Sequence, residues 1–490
     1  MNPATLIDGY KFSHRAQYPD NTTYVYSNWT PRGSRVEGQT EETFFGLQYF
    51  LQKYLIEEWN EKFFNKPEEE VVAKYARRLN SYLGPGNNVG TDHIRDLHRL
   101  GYLPLEFKAI PEGTKVPMRV PTMTVENTLP EFFWLTNYFE TLLSCEMWLP
   151  CTSATTARYF RDELIKGAVA TGSPVEFVDW QGHDFSMRGM EGVEAAALSS
   201  AGHLLYFTGT DTVPALDLIE DYYGVPEGYL IGGSVPATEH SVACSWAGDC
   251  TGKIVDESSY FNHLLDIYPT GIVSAVSDTY NLWNVLTVTL PKLRDRIMPR
   301  NGKLVIRPDS GDPVDIICGD PKAPSDSPEF KGVIELLWDV FGGTKTSTGH
   351  KSLDQHIGCI YGDSITKDRA RAIWSRLAAK GFASANIVFG IGSFTYQFVT
   401  RDTLGHAMKA THATINGNGI NIFKTPITDN GLKNSAKGRL SVMRDANGDI
   451  KLIEMATLDQ EAHSMLRLVW KNGQFVVKET YDIIRARARN

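Results

Sequence analysis

The stretch KLVIRPDSGDP, residues 303–313, joins a short apolar run to a polar loop. Residues 304–306 are apolar and mostly β-branched, which is typical of a buried parallel strand. The chain turns polar at Arg307 and Asp309, and loops that follow strands form the functional rim of β/α folds. Arginine can fork onto phosphate oxygens, and aspartate can hold Mg²⁺ or a ribose hydroxyl. The stretch therefore predicts a site for a phosphorylated ligand, with a surface loop carrying one Arg–Asp pair as the alternative.

Two later stretches repeat this pattern of an apolar strand followed by glycine and a polar group. HIGCIYGDSIT predicts a strand at residues 357–361, and NIVFGIGSF predicts one at residues 387–389. The residues after these strands include Gly362, Asp363, Gly390 and Gly392. Three such loops in succession resemble the phosphate-binding loops after the last strands of a β/α barrel. The last loop is not a dinucleotide-binding fingerprint, because Thr395 stands where the third glycine is required.

The composition narrows the class of protein. A chain of 490 residues with 42% hydrophobic and 22% charged residues is ordinary for a soluble globular enzyme. Its net charge of −9 argues against broad binding to nucleic acid or to an anionic membrane. No apolar run approaches ~18 residues and the N-terminus does not resemble a signal peptide, so we expect a cytoplasmic protein. Six scattered cysteines without CxxC spacing predict reduced thiols rather than disulfides or a zinc site.

The order of predicted elements indicates two domains. Residues 41–64 predict an amphipathic helix, residues 105–125 predict short antiparallel strands, and two helices follow at residues 132–148 and 155–167. Helices then alternate with predicted strands at residues 175–178, 204–207, 229–231, 272–276, 304–306, 357–361 and 387–389. Beyond residue 401 antiparallel strands return, with a hairpin turn at Asn447–Gly448. We expect an α/β fold in which a barrel-like parallel sheet at residues 151–399 is flanked by a β-rich α+β domain from residues 1–150 and 400–490.

Polar side chains also follow the other predicted strands of the central region. They include Phe185, Arg188, Asp211, Glu239, His240, Ser274 and Asp278. An aromatic ring beside an arginine can stack on and orient a flat heteroaromatic ligand, although Phe185 in the core and Arg188 in an ion pair is the simpler interpretation. The acidic residues would also suit a barrel glycosidase, which needs two carboxylates across a sugar ring. That alternative leaves Arg307 and the glycine loops without a role.

The motifs together resemble a known family. DGYK near the N-terminus is followed in order by HDFSMRG, GTDT, SVPATEHS, VSD, IRPDSG, GDS, FGIGS, TRD and KGRLS. Over nearly its whole length the chain resembles the nicotinamide phosphoribosyltransferases, which are type II phosphoribosyltransferases. The resemblance implies transfer of ribose 5-phosphate from 5-phosphoribosyl-1-pyrophosphate to nicotinamide, giving nicotinamide mononucleotide and pyrophosphate. It also implies Mg²⁺, ATP as a co-substrate that phosphorylates a histidine, and a homodimer with active sites shared between subunits.

The resemblance assigns a role to each candidate residue. For nicotinamide it implies stacking between Phe185 and Tyr10 of the second subunit, a carboxamide bracketed by Arg188 and Asp211, and Asp8 nearby. For the ribose and its phosphate it implies Arg307, Asp309, Ser274, Gly362, Asp363, Gly390 and Gly392. For pyrophosphate and ATP it implies Arg32, Arg401, Lys409, Lys424 and Lys433. His240 matches the phosphorylated histidine, with Glu239 beside it and Asp278 as the partner of its ring N–H.

The sequence departs from the family pattern at a few positions. Gly9 stands where the family commonly has Ser, and Ser393 stands where a third glycine is expected. We expect Ser393 to tighten or reshape the phosphate loop, because a non-glycine residue resists positive φ. The assignment of Lys433 depends on a one-residue insertion near Gly431. Two alternatives remain: a nicotinate phosphoribosyltransferase and a non-catalytic binding or signalling protein. Asp211 argues against the first, because its carboxylate repels the carboxylate of nicotinate.

Overall fold

The computed structural model describes residues 1–246, 257–428 and 434–490 and divides into two compact units. The first unit comprises Met1–Thr155, Asp217–Tyr229 and Val399–Asn490, and the second comprises Thr156–Leu216 and Leu230–Phe398. The sequence prediction had put residues 217–229 in the barrel domain, which is wrong. Tyr222 and Tyr223 of this segment pack against Tyr49 and Phe45, with ring centroids 4.6 and 5.3 Å apart, so aromatic burial holds the segment in the first unit.

The first unit is built on a seven-stranded antiparallel sheet. Its strand order is Asn418–Asn421, His406–Ile415, Thr22–Pro31, Met123–Asn127, Leu105–Ala109, Arg467–Lys471, Gln474–Phe475. Two smaller antiparallel pairs are Glu41–Thr43 with Lys115–Pro117 and Leu440–Arg444 with Ile450–Glu454. The second pair confirms the hairpin predicted at Asn447–Gly448, where Gly448 has φ 86°. Alternation of apolar and polar residues puts one sheet face into a core that includes Trp29, Phe107 and Trp470.

The helices of the first unit differ from two of the sequence predictions. They are Lys11–Gln17, Leu47–Phe50 with π-helical continuations Leu51–Glu58 and Asn60–Phe64, Glu68–Leu83, Asp92–Leu100, Leu135–Tyr138, Leu458–Ala462 and Tyr481–Arg489. The helix predicted from residue 41 begins only at Leu47, because residues Glu41–Thr43 form a strand and Gly46, with φ 104°, precedes the first helical residue. The two helices predicted around Pro150 form one helix, Glu140–Thr171. Helix Glu140–Thr171 and helix Pro214–Tyr222 have residues in both units.

A buried carboxyl group holds the start of the Leu47 helix. Glu112 accepts hydrogen bonds from the backbone N–H groups of Gly46 and Gln48, at 2.8 and 2.6 Å, and from the Tyr223 hydroxyl at 3.0 Å. Burial raises the pKa of Glu112 to about 7, although these three donors favour the charged form and lower it. The group therefore holds its proton in the folded chain at pH values where it would lose it in the unfolded chain.

We expect this carboxyl to make the fold less stable as the pH rises. The folded pKa of about 7 lies above the ordinary value of 4.5, so its stabilising contribution is complete below pH 4.5 and is lost as the pH rises to 7. At about 1.4 kcal/mol per pKa unit, the loss is about 3 kcal/mol of unfolding free energy. Denaturant titration at pH 5 and pH 8 measures the unfolding free energy of both proteins. Between these pH values the parent should lose about this amount relative to Glu112→Gln, whose side chain does not titrate. The exposed Glu131→Gln is the control, and parallel pH profiles for Glu112→Gln and the parent would contradict the assignment.

The second unit is built on a curled six-stranded parallel sheet. Its strand order is Gly209–Thr210, Gly182–Asp184, Val388–Ile391, Ile357–Tyr361, Asn301–Arg307, Thr270–Val276. The edge strands are not paired with each other; single parallel bridges, Gly209 to Gly233 and Ala237 to Ser274, link them through the intervening segment. The sheet is thus a half-barrel, and the prediction of a barrel-like parallel sheet in an α/β protein is confirmed.

The helices of the second unit follow its strands along the chain. Those within the described residues include Val178–Gln181, Val193–His203, His240–Cys244, Ser258–Ile267, Leu290–Ile297, Pro313–Cys318, Pro328–Lys331, Val333–Phe341, Lys367–Ala379 and Ser393–Tyr396. A short hairpin pairs Gly343–Lys345 with Lys351–Leu353. No helix in the described residues is both long enough and apolar enough to cross a membrane.

Of the seven strands predicted between residues 175 and 389, four are present and three predictions are wrong. The structure has strands at Thr270–Val276, Asn301–Arg307, Ile357–Tyr361 and Val388–Ile391. Residues 175–178 instead form a 3₁₀ turn that enters helix Val178–Gln181, and residues 204–207 form the turn after helix Val193–His203. Residues 229–231 form no strand. Short apolar runs are buried in either conformation, so their hydrophobicity alone does not distinguish strand from turn.

Candidate active site

The half-barrel encloses a cavity of about 550 Å³ rather than a packed centre. Side chains of alternate residues on the strands face it, so Lys303, Val305 and Arg307 all line it from one strand. Four residues singled out in the sequence also line it: Phe185, Asp211, Ser274 and Arg307. The strand-end positions thus converge within the second unit, as parallel strands require.

Phe185 lies across two of the predicted phosphate-loop glycines. A Cβ added to Gly390 would lie 2.3 Å from the Phe185 ring, and one added to Gly362 would lie 2.9 Å from it. Both distances are shorter than any carbon contact allows, so these positions need glycine to accommodate the ring. A Cβ at Gly392 would meet nothing within 4 Å, which leaves its backbone open to a ligand.

Asp211 is held by two hydrogen bonds to one of its oxygens. Oδ1 accepts from His183 Nε2 at 2.9 Å and from the Ser234 hydroxyl at 2.6 Å. Partial burial would raise the pKa of Asp211, but these two hydrogen bonds and the nearby charge of Arg307 lower it below its usual value. Within the described residues Oδ2 has no hydrogen-bond partner. The site therefore presents an ionised acceptor into the cavity.

A buried carboxylate beneath Asp211 fixes the loop that carries it. Asp184 Oδ2 accepts from the hydroxyls of Thr210 and Thr212, at 3.1 and 2.7 Å, and its carbonyl accepts from the Asp211 N–H at 3.0 Å. Burial raises the pKa of Asp184, but the charge of His203 and the surrounding donors lower it overall. The sequence prediction gave no role to Asp184, His183 or Ser234. The adjacent motifs HDF, GTDT and SVP contained them, but nothing in the sequence shows that these motifs meet in space.

Asp278 connects the two strand-end loops that follow residues 270–276 and 301–307. Its Oδ2 accepts from the Asp309 N–H at 2.8 Å and from the Ser310 hydroxyl at 2.6 Å. Its Oδ1 is buried and has no hydrogen-bond partner among the described residues. Arg307 Nη2 donates to the Thr238 carbonyl at 2.7 Å, while its buried Nε has no such partner. These unsatisfied groups are positioned to bind a ligand or an ion.

His240 begins a short helix, but its hydrogen-bond partner is not the one predicted. Its Nδ1 lies 3.0 Å from the Thr279 hydroxyl, whereas its Nε2 lies 4.0 Å from Asp278 Oδ1. The second distance is too long for a hydrogen bond. The predicted Asp278 partnership is therefore wrong in this structure, and Thr279 orients the ring instead. Glu239 accepts from the Ser241 hydroxyl. Nε2 of His240 lies near Asp278 Oδ1 without a hydrogen bond to it.

The carboxylates of this region fit Mg²⁺ without forming a preformed cage. Burial raises the pKa of Tyr361, and four nearby carboxylates raise it further: Asp363, Asp309, Asp278 and Asp312. They do not converge into a three-ligand cluster; the group that does so among the described residues is Glu42, Cys151 and His406 of the first unit. Mg²⁺ is commonly held by one or two carboxylates together with substrate phosphates. Oδ1 of Asp278 is a free oxygen ligand of that kind.

Tyr10 and Asp8, which are predicted to lie at the nicotinamide, belong to the first unit. Tyr10 is 55% exposed, and Asp8 accepts from the Thr141 hydroxyl at 2.9 Å. Partial burial raises the pKa of Tyr10, as do the charges of Glu140 and Asp8, while Arg401 lowers it. These groups therefore share one region of the unit.

The predicted cations crowd the same region. Lys409 lies 3.8 Å from Glu140. Burial lowers the pKa of Lys409, the Glu140 charge opposes this, and repulsion from three cations lowers it further: Arg32, Lys424 and Arg401. Such a set of cations indicates an anion site. Lys433 lies outside the described residues.

Three positions differ from their sequence interpretation. Arg188 is exposed and is not among the residues that line the half-barrel cavity. Ser393 does not have a positive φ, so resistance to that conformation does not reshape the loop here. A Cβ added to Gly189 would lie 2.0 Å from Ser393 Oγ, so the two side-chain positions compete for the same space. At Gly9, a Cβ would lie 2.1 Å from the ring of Tyr82, which is 61% exposed, so the serine of the family pattern would require this ring to move.

Comparisons with known proteins agree with this arrangement. Residues 180–474 match the nicotinate phosphoribosyltransferase (NAPRTase) family, and residues 2–82 match the N-terminal domain of nicotinamide phosphoribosyltransferase. A nicotinamide phosphoribosyltransferase of Acinetobacter baylyi is 50% identical over 99% of this chain and 97% of its own. One of Xanthomonas campestris pv. campestris is 36% identical over 98% and 97%.

Two solved structures share the fold at low sequence identity. A nicotinate-nucleotide pyrophosphorylase from Pyrococcus furiosus is 15% identical, with a TM-score of 0.58 over 100% of this chain and 94% of that one. Human nicotinic acid phosphoribosyltransferase is 17% identical, with a TM-score of 0.53 over 98% and 92%. At these identities the likeness concerns the fold alone.

The half-barrel, its strand-end loops and the family match define a pentosyltransferase enzyme. The chain belongs to the nicotinate phosphoribosyltransferase family, and the resemblance to its nicotinamide-specific members is confirmed by full-length relatives of that name.

Proposed function

We propose that the enzyme transfers ribose 5-phosphate from 5-phosphoribosyl-1-pyrophosphate to the ring nitrogen of nicotinamide, giving nicotinamide mononucleotide and pyrophosphate for NAD salvage. The observation that carries this proposal is the ionised Asp211 in the cavity that Phe185 also lines. A carboxylate oxygen accepts a hydrogen bond from the carboxamide NH₂ but repels the carboxylate of nicotinate. Nicotinate as the acceptor is therefore the weaker alternative.

The chemistry requires charge stabilisation rather than a covalent nucleophile. Breaking the bond between ribose and pyrophosphate develops positive charge on the sugar and negative charge on the leaving group. Phe185 stacks on the pyridine ring, a contact worth about 1–3 kcal/mol by analogy with base stacking, and brings the nitrogen close to the sugar carbon. Arg307 and Asp309 hold the ribose phosphate, and Ser274, Gly362, Asp363, Gly390 and Gly392 line its binding loops. Asp278 and Asp309 would hold Mg²⁺ together with pyrophosphate oxygens. Bound Mg²⁺ would neutralise the negative charge that develops on the leaving pyrophosphate.

The first-unit residues complete the site in a homodimer. Tyr10 of one subunit covers the nicotinamide pocket of the other, with Asp8 beside it. The cations Arg32, Arg401, Lys409, Lys424 and Lys433 bind the pyrophosphate end of the donor or the phosphates of ATP. The crowding that lowers the pKa of Lys409 supports an anionic ligand there. A cytoplasmic location is part of the same proposal and is supported by the scattered cysteine spacing.

ATP acts through His240. Its Nδ1 is engaged by Thr279, which leaves Nε2, 4.0 Å from Asp278 Oδ1, as the phosphoryl acceptor. The lone pair of Nε2 forms the bond to the γ-phosphorus as the bond between that phosphorus and the β,γ-bridging oxygen breaks, ADP leaves, and the proton of the imidazole is lost from Nδ1. The phosphorylated ring adds negative charge and acceptor oxygens that bind Mg²⁺ near the pyrophosphate groups.

One assay tests the main proposal. Purified enzyme is supplied with 5-phosphoribosyl-1-pyrophosphate and either nicotinamide or nicotinate, with and without ATP, and pyrophosphate release is followed with mass detection of the mononucleotide. We expect nicotinamide mononucleotide as the main product and a faster reaction with ATP. Preferential formation of nicotinate mononucleotide would reject nicotinamide as the substrate.

We expect His240→Ala to remove the ATP stimulation. The rate in the presence of ATP should fall to the rate without it, because ribosyl transfer itself does not use the imidazole as a nucleophile. Rates with and without ATP, together with acid-labile ³²P incorporation from γ-labelled ATP, measure the effect. His463→Ala, on an exposed histidine of the first unit, is the control. Stimulation that persists in His240→Ala excludes His240 as the acceptor.

A further inference from the structure

Arg119 adopts a backbone conformation that arginine rarely takes. Its φ is +71°, in the left-handed region, where the side chains of L-residues are strained. Most other non-glycine residues with positive φ in the described chain are asparagines, whose short side chains tolerate it better: Asn21, Asn88, Asn416 and Asn472. The backbone N–H of Arg119 donates to the Pro31 carbonyl at 2.6 Å. This bond fixes the turn at the end of strand Thr22–Pro31, next to Arg32.

Arg119 lines two cavities of the first unit, and the smaller of them is rich in cations. The cavity holds about 200 Å³ within the first unit and is lined by Arg119, Arg32 and Lys409, with Glu454 as the one carboxylate among its lining residues. Amide and hydroxyl groups complete the lining: Asn28, Thr30, Asn434 and Ser435. Strand pairing places Asn28 opposite Lys409, and the Pro31 bond brings Arg119 to the same wall. Three positive charges against one negative charge favour an anionic occupant.

Arg119 has no partner that would explain its position. Within the described residues its exposed guanidinium forms no hydrogen bond and no ion pair. A surface arginine with neither a salt bridge nor a hydrogen bond gains nothing from a strained backbone. Strain of this kind persists mainly at ligand sites, where the surrounding structure holds it in place. The free guanidinium and the strained turn therefore point to a ligand in the cavity.

We propose that Arg119 is a further diphosphate-binding residue, whose guanidinium binds a diphosphate group together with Arg32 and Lys409. This inference rests on the proposed function and adds a residue to its pyrophosphate site. The planar guanidinium can donate two parallel hydrogen bonds to phosphate oxygens, which an ammonium group cannot. The diphosphate belongs either to the ribosyl donor and its pyrophosphate product or to the β,γ end of ATP, and these two sources can be separated by titration.

Two substitutions separate binding from folding. Arg119→Gly removes the charge and also relieves the positive φ, so it should keep or raise the thermal midpoint of the full-length enzyme. Arg119→Asn tolerates the same backbone and serves as the second variant, while Arg119→Lys keeps the charge without the planar fork. Arg77→Ala removes an equal charge from an exposed helix position of the same unit and is the matched control.

Isothermal titration with inorganic pyrophosphate and, separately, with a non-hydrolysable ATP analogue tests the proposal. We expect Arg119→Gly and Arg119→Asn to weaken pyrophosphate binding roughly 10- to 100-fold, the usual range for one charge-assisted contact, and Arg119→Lys to weaken it less. Arg77→Ala should bind within about twofold of the parent. A loss with pyrophosphate assigns the contact to the donor, and a loss with the ATP analogue alone assigns it to the nucleotide.

Unchanged affinity for both ligands in Arg119→Gly and Arg119→Asn would overturn the proposal. So would loss of binding that is equalled by Arg77→Ala, since that would be a general charge effect. Formation of nicotinamide mononucleotide by the parent enzyme is measured in parallel. If the parent forms the product but Arg119 variants bind normally, only the role of Arg119 fails. If the parent forms no product but the variants lose pyrophosphate binding, only the proposed reaction fails.

Discussion

Asp211→Asn is expected to lower the preference for nicotinamide over nicotinate by about 10- to 100-fold. The ionised Asp211 carboxylate repels nicotinate, and a like-charge contact costs several kcal/mol, of which each ~1.4 kcal/mol corresponds to a factor of ten. Asparagine removes this charge but keeps an oxygen that can accept from the carboxamide. The measurement is the ratio of kcat/KM for the two acceptors at fixed donor concentration.

Ser234→Ala provides the matched control for this prediction. It removes the 2.6 Å hydrogen bond to Asp211 Oδ1 but leaves the carboxylate and its second donor, His183, in place. Because the charge persists, the preference for nicotinamide should remain even if the overall rate falls. An unchanged ratio in Asp211→Asn, or an equal change in Ser234→Ala, would show that the charge of Asp211 does not select the acceptor.

Mixing two inactive variants is expected to restore activity if the active site is shared between subunits. Tyr10 belongs to the first unit and Arg188 to the second, and both side chains are exposed. Homodimers of Tyr10→Ala or Arg188→Ala should be poorly active, because every site lacks one of the two groups. In a mixed dimer one site collects both defects, while the other receives Tyr10 from one chain and Arg188 from its partner.

The expected recovery follows from counting sites. Random pairing in a two-fold dimer makes about half of the dimers mixed, so roughly a quarter of all sites should regain both groups. Co-expression with two different affinity tags allows the mixed dimer to be isolated and its rate compared with both parents. Co-expression of Tyr10→Ala with a second Tyr10→Ala copy is the control. Mixed dimers that are no more active than the parents would show that Tyr10 serves the site of its own chain.

The sequence predicted the strands of the half-barrel correctly where an apolar run leads directly into a polar loop. Residues 304–306, 357–361 and 387–389 are apolar runs that end in glycine and carboxylate loops, and they lie within the strands Asn301–Arg307, Ile357–Tyr361 and, apart from its first residue, Val388–Ile391. Residues 204–207 and 229–231 are also apolar, and residues 175–178 are apolar apart from Glu176, but all three form turns or irregular chain. A short apolar run can be buried in a helix, a turn or a strand. Its hydrophobicity therefore does not show which of these it forms.

The sequence by itself determined which chemical groups follow which strands, and its motifs were specific enough to indicate the family. Only the tertiary structure decided how those groups meet. Gly362 and Gly390 must be glycine because the Phe185 ring crosses them, His240 is oriented by Thr279 rather than Asp278, and Asp211 is held by His183 and Ser234. Each of these contacts joins residues that are 23 to 205 positions apart in the chain. Distances between such residues depend on how the whole sheet curls, which no local pattern of residues encodes.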